Sequence, residues 1–136
     1  MPRLTVFLAR FIGLFTVLLM AAFLLRGSAV VEAAIADRPL MLTYGIISLA
    51  AGLAMILGHN IWSGGLLPVV VTLVGWLILA KGLLLLFLTP EAVTRLFKGM
   101  QYSEHMYFYL APSLMIGLYL TWAGFAASTS RGQADA

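Results

Sequence analysis

The 136-residue chain has 62% hydrophobic and only 10% charged residues, whereas a soluble domain carries about 25% charged residues, so it is a protein of the lipid bilayer. It has no cysteine, which excludes disulfides, thiolate metal sites and cysteine nucleophiles. Its formal charge of +3 comes from eight lysines and arginines spread singly along the chain, whereas nucleic-acid binding needs them clustered, so we expect no nucleic-acid partner.

The first membrane span is predicted over residues 4–25, an apolar run flanked by Arg3 and Arg26 and interrupted by Arg10. A bilayer core takes about 20 helical residues, and this run supplies them. A cleaved signal peptide is the alternative, with residues 34–36 as a small-residue cleavage site. The long gap between the apolar run and that site favours a retained span.

Two further spans and a short interfacial helix follow. Residues 29–36 are too few and too polar to cross a bilayer, and they predict a helix lying at the interface. The second span is predicted over residues 40–57, after Pro39, and it ends in Gly58 as helix ends prefer. A short loop then leads to the third span, residues 66–88, so that these two spans form a tight hairpin.

The sequence Thr89-Pro90-Glu91 is typical of a helix start, with an N-cap, a first-turn proline and a first-turn acid. Apolar residues then recur at helical spacing through residues 90–100. This pattern predicts a second interfacial helix.

The fourth span is predicted over residues 106–127, and residues 128–136 form a polar tail. Together the segments predict an all-α integral membrane four-helix bundle, a single transmembrane domain over residues 1–127. Both chain ends then lie on one side of the bilayer. The basic residues barely choose an orientation, with a slight preference for exported termini.

Spans two and four share a pattern that indicates an internal repeat. Three residues recur 65 positions apart: Tyr44, Ser48 and Gly52 against Tyr109, Ser113 and Gly117. With a shift of 62, Gly13 of span one also falls on Gly75 of span three. This would be a parallel duplication of a two-helix hairpin about an axis along the membrane normal. Chance recurrence of common residues is the alternative.

Small residues share one face in each of the last three spans and predict helix packing. Lipid provides no hydrophobic drive for helices to associate, so close backbone approach must supply the attraction. The residues are Gly45, Ser48 and Gly52 in span two, Thr72, Gly75 and Gly82 in span three, and Ser113, Gly117, Thr121 and Gly124 in span four. A substrate path lined by the serines and threonines is the alternative.

Lys81 lies about 10 Å inside the third span at the helical rise per residue. An ammonium costs about 2.5 to 3.5 kcal/mol at the centre of a span. Either its long side chain extends to the interface, or it is a functional charge paired with Glu32, Glu91 or Glu104. We expect extension to the interface, and we expect the same for the shallower Arg10.

His59, Asn60 and Trp62 form a polar cluster at the membrane face opposite to the one that Lys81 is nearer to. A histidine could ligate a metal or move a proton, but His105 lies at the other face, so the two cannot share a metal within one chain. We expect His59 and Asn60 to cap helix-end carbonyls and Trp62 to anchor the interface. Glu104 and His105 are interpreted as a helix start. We predict no catalytic, cofactor or metal site.

Three short patterns lie in the middle third of the chain: H-N-x-W at residues 59–62, T-x-x-G-W at 72–76 and K-G at 81–82. In these patterns the chain resembles a group of small bacterial inner-membrane proteins with four spans. The resemblance implies a multi-pass protein of the bacterial inner membrane, and it carries no assigned activity.

Two functions of different classes fit the sequence. The first is a non-catalytic accessory or structural subunit that packs against a larger membrane complex or against itself, as indicated by the small-residue faces and short loops. The alternative is a small oligomeric transporter or channel that uses Lys81, with Thr72, Ser48 and Ser113 along its path. A cationic ring of this kind would favour anions. The expected partners are the lipid bilayer and either further copies or a larger complex, with no cofactor.

Overall fold

The computed structural model describes residues 2–101 and 104–132, the last five of them by their backbone alone. The described chain forms six helices: α1 (Arg3–Arg26), α2 (Ser28–Ala36), α3 (Arg38–Gly58), α4 (Leu66–Phe87), α5 (Pro90–Gly99) and α6 (Met106–Gly132). Four of them are long and apolar enough to cross a bilayer. The all-α membrane bundle expected from the sequence is confirmed.

Side-chain caps begin two of the described helices, α5 and α3. The side chain of Thr89 accepts a hydrogen bond from the N–H of Ala92 at 3.2 Å, and α5 begins at the following proline as predicted. Asp37 does the same for α3 by accepting from the N–H of Leu40 at 3.0 Å. These caps pair N–H groups that a helix start leaves unbonded. The cap on Asp37 explains why α3 begins slightly before the predicted span.

The far end of α6 also extends beyond its predicted span. Its apolar portion ends at Ala127, but the helix continues to Gly132. The backbone hydrogen bonds of a helix do not depend on apolar side chains, so a helix can continue out of the membrane. The predicted boundary therefore marks the end of the apolar segment rather than the end of the helix.

The four spans associate as two tight pairs. α1 packs along α6, and α3 packs along α4. Smaller contacts of α4 with α1 and α6 join the two pairs. The first and last spans of the chain are thus neighbours, and α4 is the span through which the two pairs meet.

Glycines bring the backbones of α3 and α4 close together. A Cβ added to Gly52 would lie 2.5 Å from the backbone nitrogen of Leu79. A Cβ on Gly82 would collide with the backbone nitrogen of Leu49. Gly45 completes the face by lying against leucine side chains of α4. The small side of each helix therefore faces the other, as close packing in lipid requires.

The pair α1 and α6 is built in the same way. A Cβ on Gly13 would lie 2.5 Å from the backbone nitrogen of Thr121. A Cβ on Gly117 would lie 3.1 Å from the Cβ of Thr16, and Gly124 lies against the stem of an α1 arginine. Gly13 of the first span thus belongs to a close-packed face.

The two halves of the chain follow the same plan. Each has a long helix, a short helix and a second long helix, so that α1, α2 and α3 correspond to α4, α5 and α6. Under this correspondence α3 matches α6 and α4 matches α1, so the helix pair α3–α4 corresponds to the helix pair α6–α1. In the first pair, Gly52 contacts Leu79. In the second pair, the corresponding residues are Gly117, 65 positions after Gly52, and Val17, 62 positions before Leu79, and they are also in contact. This is the arrangement expected of a parallel hairpin duplication with its axis along the membrane normal.

Gly52→Ala should lower the free energy of unfolding by about 1 to 3 kcal/mol, the usual cost of overpacking. The added methyl group meets the backbone of Leu79, which cannot turn aside as a side chain can. Gly58→Ala on the same helix is the matched control, because the atom nearest to its new Cβ is 4.0 Å away. Unfolding of both variants in one detergent measures the difference, and equal stabilities would contradict the close packing.

Candidate functional site

His59 is a buried polar residue at the end of α3 that links three spans. It is the C-cap of that helix, and it is only 2% exposed. Its Nε2 lies 2.9 Å from the hydroxyl oxygen of Thr5 in α1, and its Nδ1 lies 3.3 Å from the hydroxyl oxygen of Thr72 in α4. We call these three side chains the His59 cluster. It joins the two helix pairs at the face where the described chain begins.

The hydrogen bonds of the Thr72 hydroxyl indicate that the Nδ1 atom of His59 is the donor to it. This hydroxyl donates to the carbonyl of Ile61 at 3.0 Å and accepts from the N–H of Ile61 at 3.1 Å. Because its one hydrogen is used, Nδ1–H of His59 must donate to its remaining lone pair. A neutral ring then has Nε2 free to accept from the hydroxyl of Thr5. Within the part of the chain that the structure describes, no buried side-chain nitrogen or oxygen lacks a partner.

The His59 cluster differs from the capping role expected from the sequence. The ring of His59 bonds two threonine hydroxyls, and the side-chain oxygen of Asn60 accepts from the indole Nε1–H of Trp62 at 2.7 Å. Carbonyls at an exposed helix end can bond water, whereas the buried hydroxyl of Thr5 needs a protein partner. That need explains why the ring turns inward. Trp62 itself is exposed, as an interfacial residue would be.

Both ring nitrogens of His59 are used within the His59 cluster. Each is engaged by a threonine hydroxyl, so neither offers an open lone pair. His105 lies at the start of α6, at the other end of the bundle. Among the described residues, no group of three or more histidine, aspartate or glutamate side chains is placed to hold a metal. The chemistry of the cluster is hydrogen bonding between helices.

Arg10 makes a second link between spans, within the pair α1–α6. Its Nε donates to the carbonyl of Gly124 at 2.9 Å, and its guanidinium carbon lies 4.7 Å from the ring centre of Phe125. The side chain thus lies across α6 rather than extending only toward the interface, because Gly124 leaves room for its stem. Under exchange of the halves, Arg10 corresponds to Thr72 and Gly124 corresponds to His59. Each helix pair therefore has a side-chain hydrogen bond at corresponding positions.

Lys81 lies on the outer surface of α4. Its side chain is exposed, whereas Thr72 in the same helix is fully buried. The only ion pair among the described residues joins Arg38 and Glu91 at 2.9 Å, so none of the three glutamates considered above pairs with Lys81. The two polar residues of this helix therefore face different surroundings.

The remaining candidates are spread over the bundle. Ser48 lies at the contact of α3 with Gly82, and Ser113 is half-buried on α6. Glu104 accepts from the side chain of Gln101 at 3.3 Å, just before α6 begins. The carbonyl of His105 accepts from the N–H groups of Phe108 and Tyr109 in the first turn of that helix. The structure thus joins His59 with Thr72, Asn60 with Trp62 and Arg10 with Gly124, and it leaves Lys81 apart from these groups.

Thr5 belongs to the His59 cluster but was not predicted from the sequence. It lies 54 positions before His59, and no local spacing joins the two residues. The available signal was a hydroxyl group within the apolar first span. Ile61 was missed for another reason, because it takes part through its backbone alone.

The fold and the buried polar links define a multi-pass integral membrane protein built from helical spans. Comparison of the chain with models of known families, with curated proteins and with solved structures gives no match. The function of the chain therefore has to be inferred from its own contacts.

Thr72→Val should destabilise the bundle by about 1 to 3 kcal/mol, because it leaves the buried ring of His59 and the part-buried backbone groups of Ile61 each without a partner. Thr43→Val is the matched control, since Thr43 is an exposed residue of α3 that bonds only the carbonyl of Pro39 one turn earlier. We expect the control to change stability by less than about 0.5 kcal/mol. Thermal unfolding of both variants in detergent measures the effect, and a harmless Thr72→Val would contradict the cluster's linking role.

Proposed function

We propose that this chain is a non-catalytic accessory subunit of the bacterial inner membrane, which packs the outer face of α4 against a larger membrane complex or a second copy. The observation that carries the proposal is the position of Lys81. This residue is charged, lies within a span, and has an exposed side chain.

Charged residues inside a bilayer almost always face protein or a water-filled space. In this chain, the surroundings of Lys81 within the bundle provide no ion pair among the described residues. A protein packed on the outer face of α4 would bring a carboxylate or carbonyl oxygen to the ammonium group. Leu77 and Leu73 lie four and eight positions earlier, respectively, and are also exposed. They extend the same helix face as an apolar surface, which suits contact with another span.

The rest of the outer surface is compatible with the same role. Only 22% of the most apolar stretch of each span is buried inside the chain. Lipid covers such a surface in the isolated protein, and the spans of a partner cover it equally well in a complex. Because lipid offers no hydrophobic drive, specificity has to come from close packing and polar pairing. Lys81 provides such a polar group on the face of α4.

Photo-crosslinking in native membranes tests the proposal. A crosslinking residue in place of Leu77 reports on the face of α4, and one in place of Leu18, an exposed residue of α1, is the control. We expect a discrete protein product from position 77 that is absent from position 18. The mass of that product separates a second copy from a larger complex. Lipid products alone at both positions would contradict the proposal.

Lys81→Leu should leave the thermal stability of the isolated protein unchanged or raise it. The change removes a desolvation cost of up to about 2.5 to 3.5 kcal/mol, and it breaks no ion pair among the described residues. The same change should reduce crosslinking from position 77, while Lys81→Arg, which keeps the charge, should retain it. A fall of many degrees in the unfolding temperature would instead reveal a carboxylate partner within the chain.

Transport through an oligomer is the alternative function expected from the sequence. It requires Lys81 to share a path with Thr72 and Ser48, whereas these two residues lie in the His59 cluster and at the α3–α4 contact. Flux of chloride and small organic anions into proteoliposomes separates the two functions. An anion flux that disappears in Lys81→Ala would replace the accessory role with transport.

A further inference from the structure

A cleft lies between the two short helices, α2 and α5, on the face of the bundle opposite the His59 cluster. Its larger part has a volume of about 690 Å³. A smaller part of about 340 Å³ adjoins it and shares Ile35, Ala36 and Thr94. Pockets for small molecules commonly have volumes of about 300 to 1,000 Å³. The two parts together are large enough for a polar head group and the carbons next to it.

The walls of the cleft come from corresponding faces of the two halves. Val31, Glu32 and Ile35 line it from α2, with the spacing of one helix face. Phe97 and Lys98 line it from α5, and Phe97 lies 62 positions after Ile35. The cleft therefore lies where the two halves face each other. Its walls combine apolar side chains with charged ones.

The charges in the larger part of the cleft are of both signs. Lys98 supplies a cation, while Glu32 and Glu104 supply carboxylates. None of these side chains is within ion-pair distance of another, since the only such pair in the described chain is Arg38–Glu91. The cleft thus presents separate positive and negative groups to a ligand.

The position of the cleft places it at the level of lipid head groups. α2 directly follows the end of the span α1, and α5 directly follows the end of the span α4. A spanning helix of this length ends where the hydrocarbon core ends. Val31, Ile35 and Phe97 can then contact the glycerol and first acyl carbons of a lipid, while the charged residues meet its head group.

We propose that this cleft binds the phosphoethanolamine group of an aminophospholipid, with the phosphate facing Lys98 and the ammonium facing Glu32 and Glu104. A primary ammonium has three N–H donors for carboxylate oxygens, and such charge-assisted hydrogen bonds are the stronger kind. The trimethylated ammonium of phosphocholine has no such donor. The two carboxylates repel an anionic head group that lacks an amine, and they are too few to form a three-ligand metal site among the described residues.

Native mass spectrometry of the purified full chain tests this assignment. Phosphatidylethanolamine, phosphatidylcholine and phosphatidylglycerol with the same acyl chains are each titrated into the protein in detergent. We expect phosphatidylethanolamine to bind about tenfold more tightly than either of the others, because only it meets both charges with hydrogen bonds. Equal retention of the three lipids, or a preference for phosphatidylglycerol, would overturn the proposal.

Variants locate the binding within the cleft. Lys98→Gln and Glu104→Gln keep the side-chain size and should each reduce the preference for phosphatidylethanolamine by about fivefold or more, since each removes a charge-assisted bond. Arg95→Gln is the matched control, because Arg95 is an exposed residue of α5 that does not line the cleft. A loss of preference in the control equal to that in Lys98→Gln would overturn the site.

A soluble competitor distinguishes the two sources of the same chemical group. Glycerophosphoethanolamine carries the head group without acyl chains. We expect it to displace the lipid only at concentrations far above those of the lipid, because it lacks the contacts with Val31, Ile35 and Phe97. Displacement at equal concentration would overturn a lipid as the source. The proposed accessory role makes no use of this cleft, so the two proposals can fail separately.

Discussion

Close contact between helix backbones is the constraint on which the rest of this structure depends. Apolar side chains gain nothing from leaving lipid for one another, so spans associate through packing at short range and through polar bonds. Gly13 and Gly117 allow such contact between α1 and α6, and Gly52 and Gly82 allow it between α3 and α4. These contacts occupy only a small part of each span, so most of the surface of every span is left to lipid or to another protein.

Polar groups connect the two helix pairs, whereas the glycine contacts act within each pair. The two helix pairs meet through small contacts of α4, and the His59 cluster bonds α1, the end of α3 and α4 at one face. An unbonded polar group at membrane depth is costly, because no water is present to replace its partner. The hydrogen bonds of the cluster therefore specify how these three helices are placed, which contacts between leucines do not. Lys81 is the contrasting case, since its side chain is exposed and makes no ion pair among the described residues.

Much of the fold could be predicted from the sequence, because hydropathy sets the spans and local capping sets the start of α5. The 3.6-residue period also placed Gly52 and Gly82 on packing faces and Lys81 away from them. The pairing of α1 with α6 could not be predicted, since it joins distant segments that have no local signal. The bond of Thr5 to His59 was missed for the same reason. The repeat predicted from residue spacing said nothing about which contacts correspond, and the contacts of Gly52 and Gly117 come from the structure alone.

Disulfide formation tests the pairing of α1 with α6 directly, because the chain has no cysteine of its own. A Cβ at position 117 lies 3.1 Å from the Cβ of Thr16, close to the separation of about 3.8 Å in a disulfide. The double variant Thr16→Cys, Gly117→Cys should therefore crosslink in high yield in membranes. The control, Thr16→Cys with Ala51→Cys, places the second thiol on an exposed position of α3 and should not crosslink. Efficient crosslinking of the control and none of the first variant would contradict this arrangement of the spans.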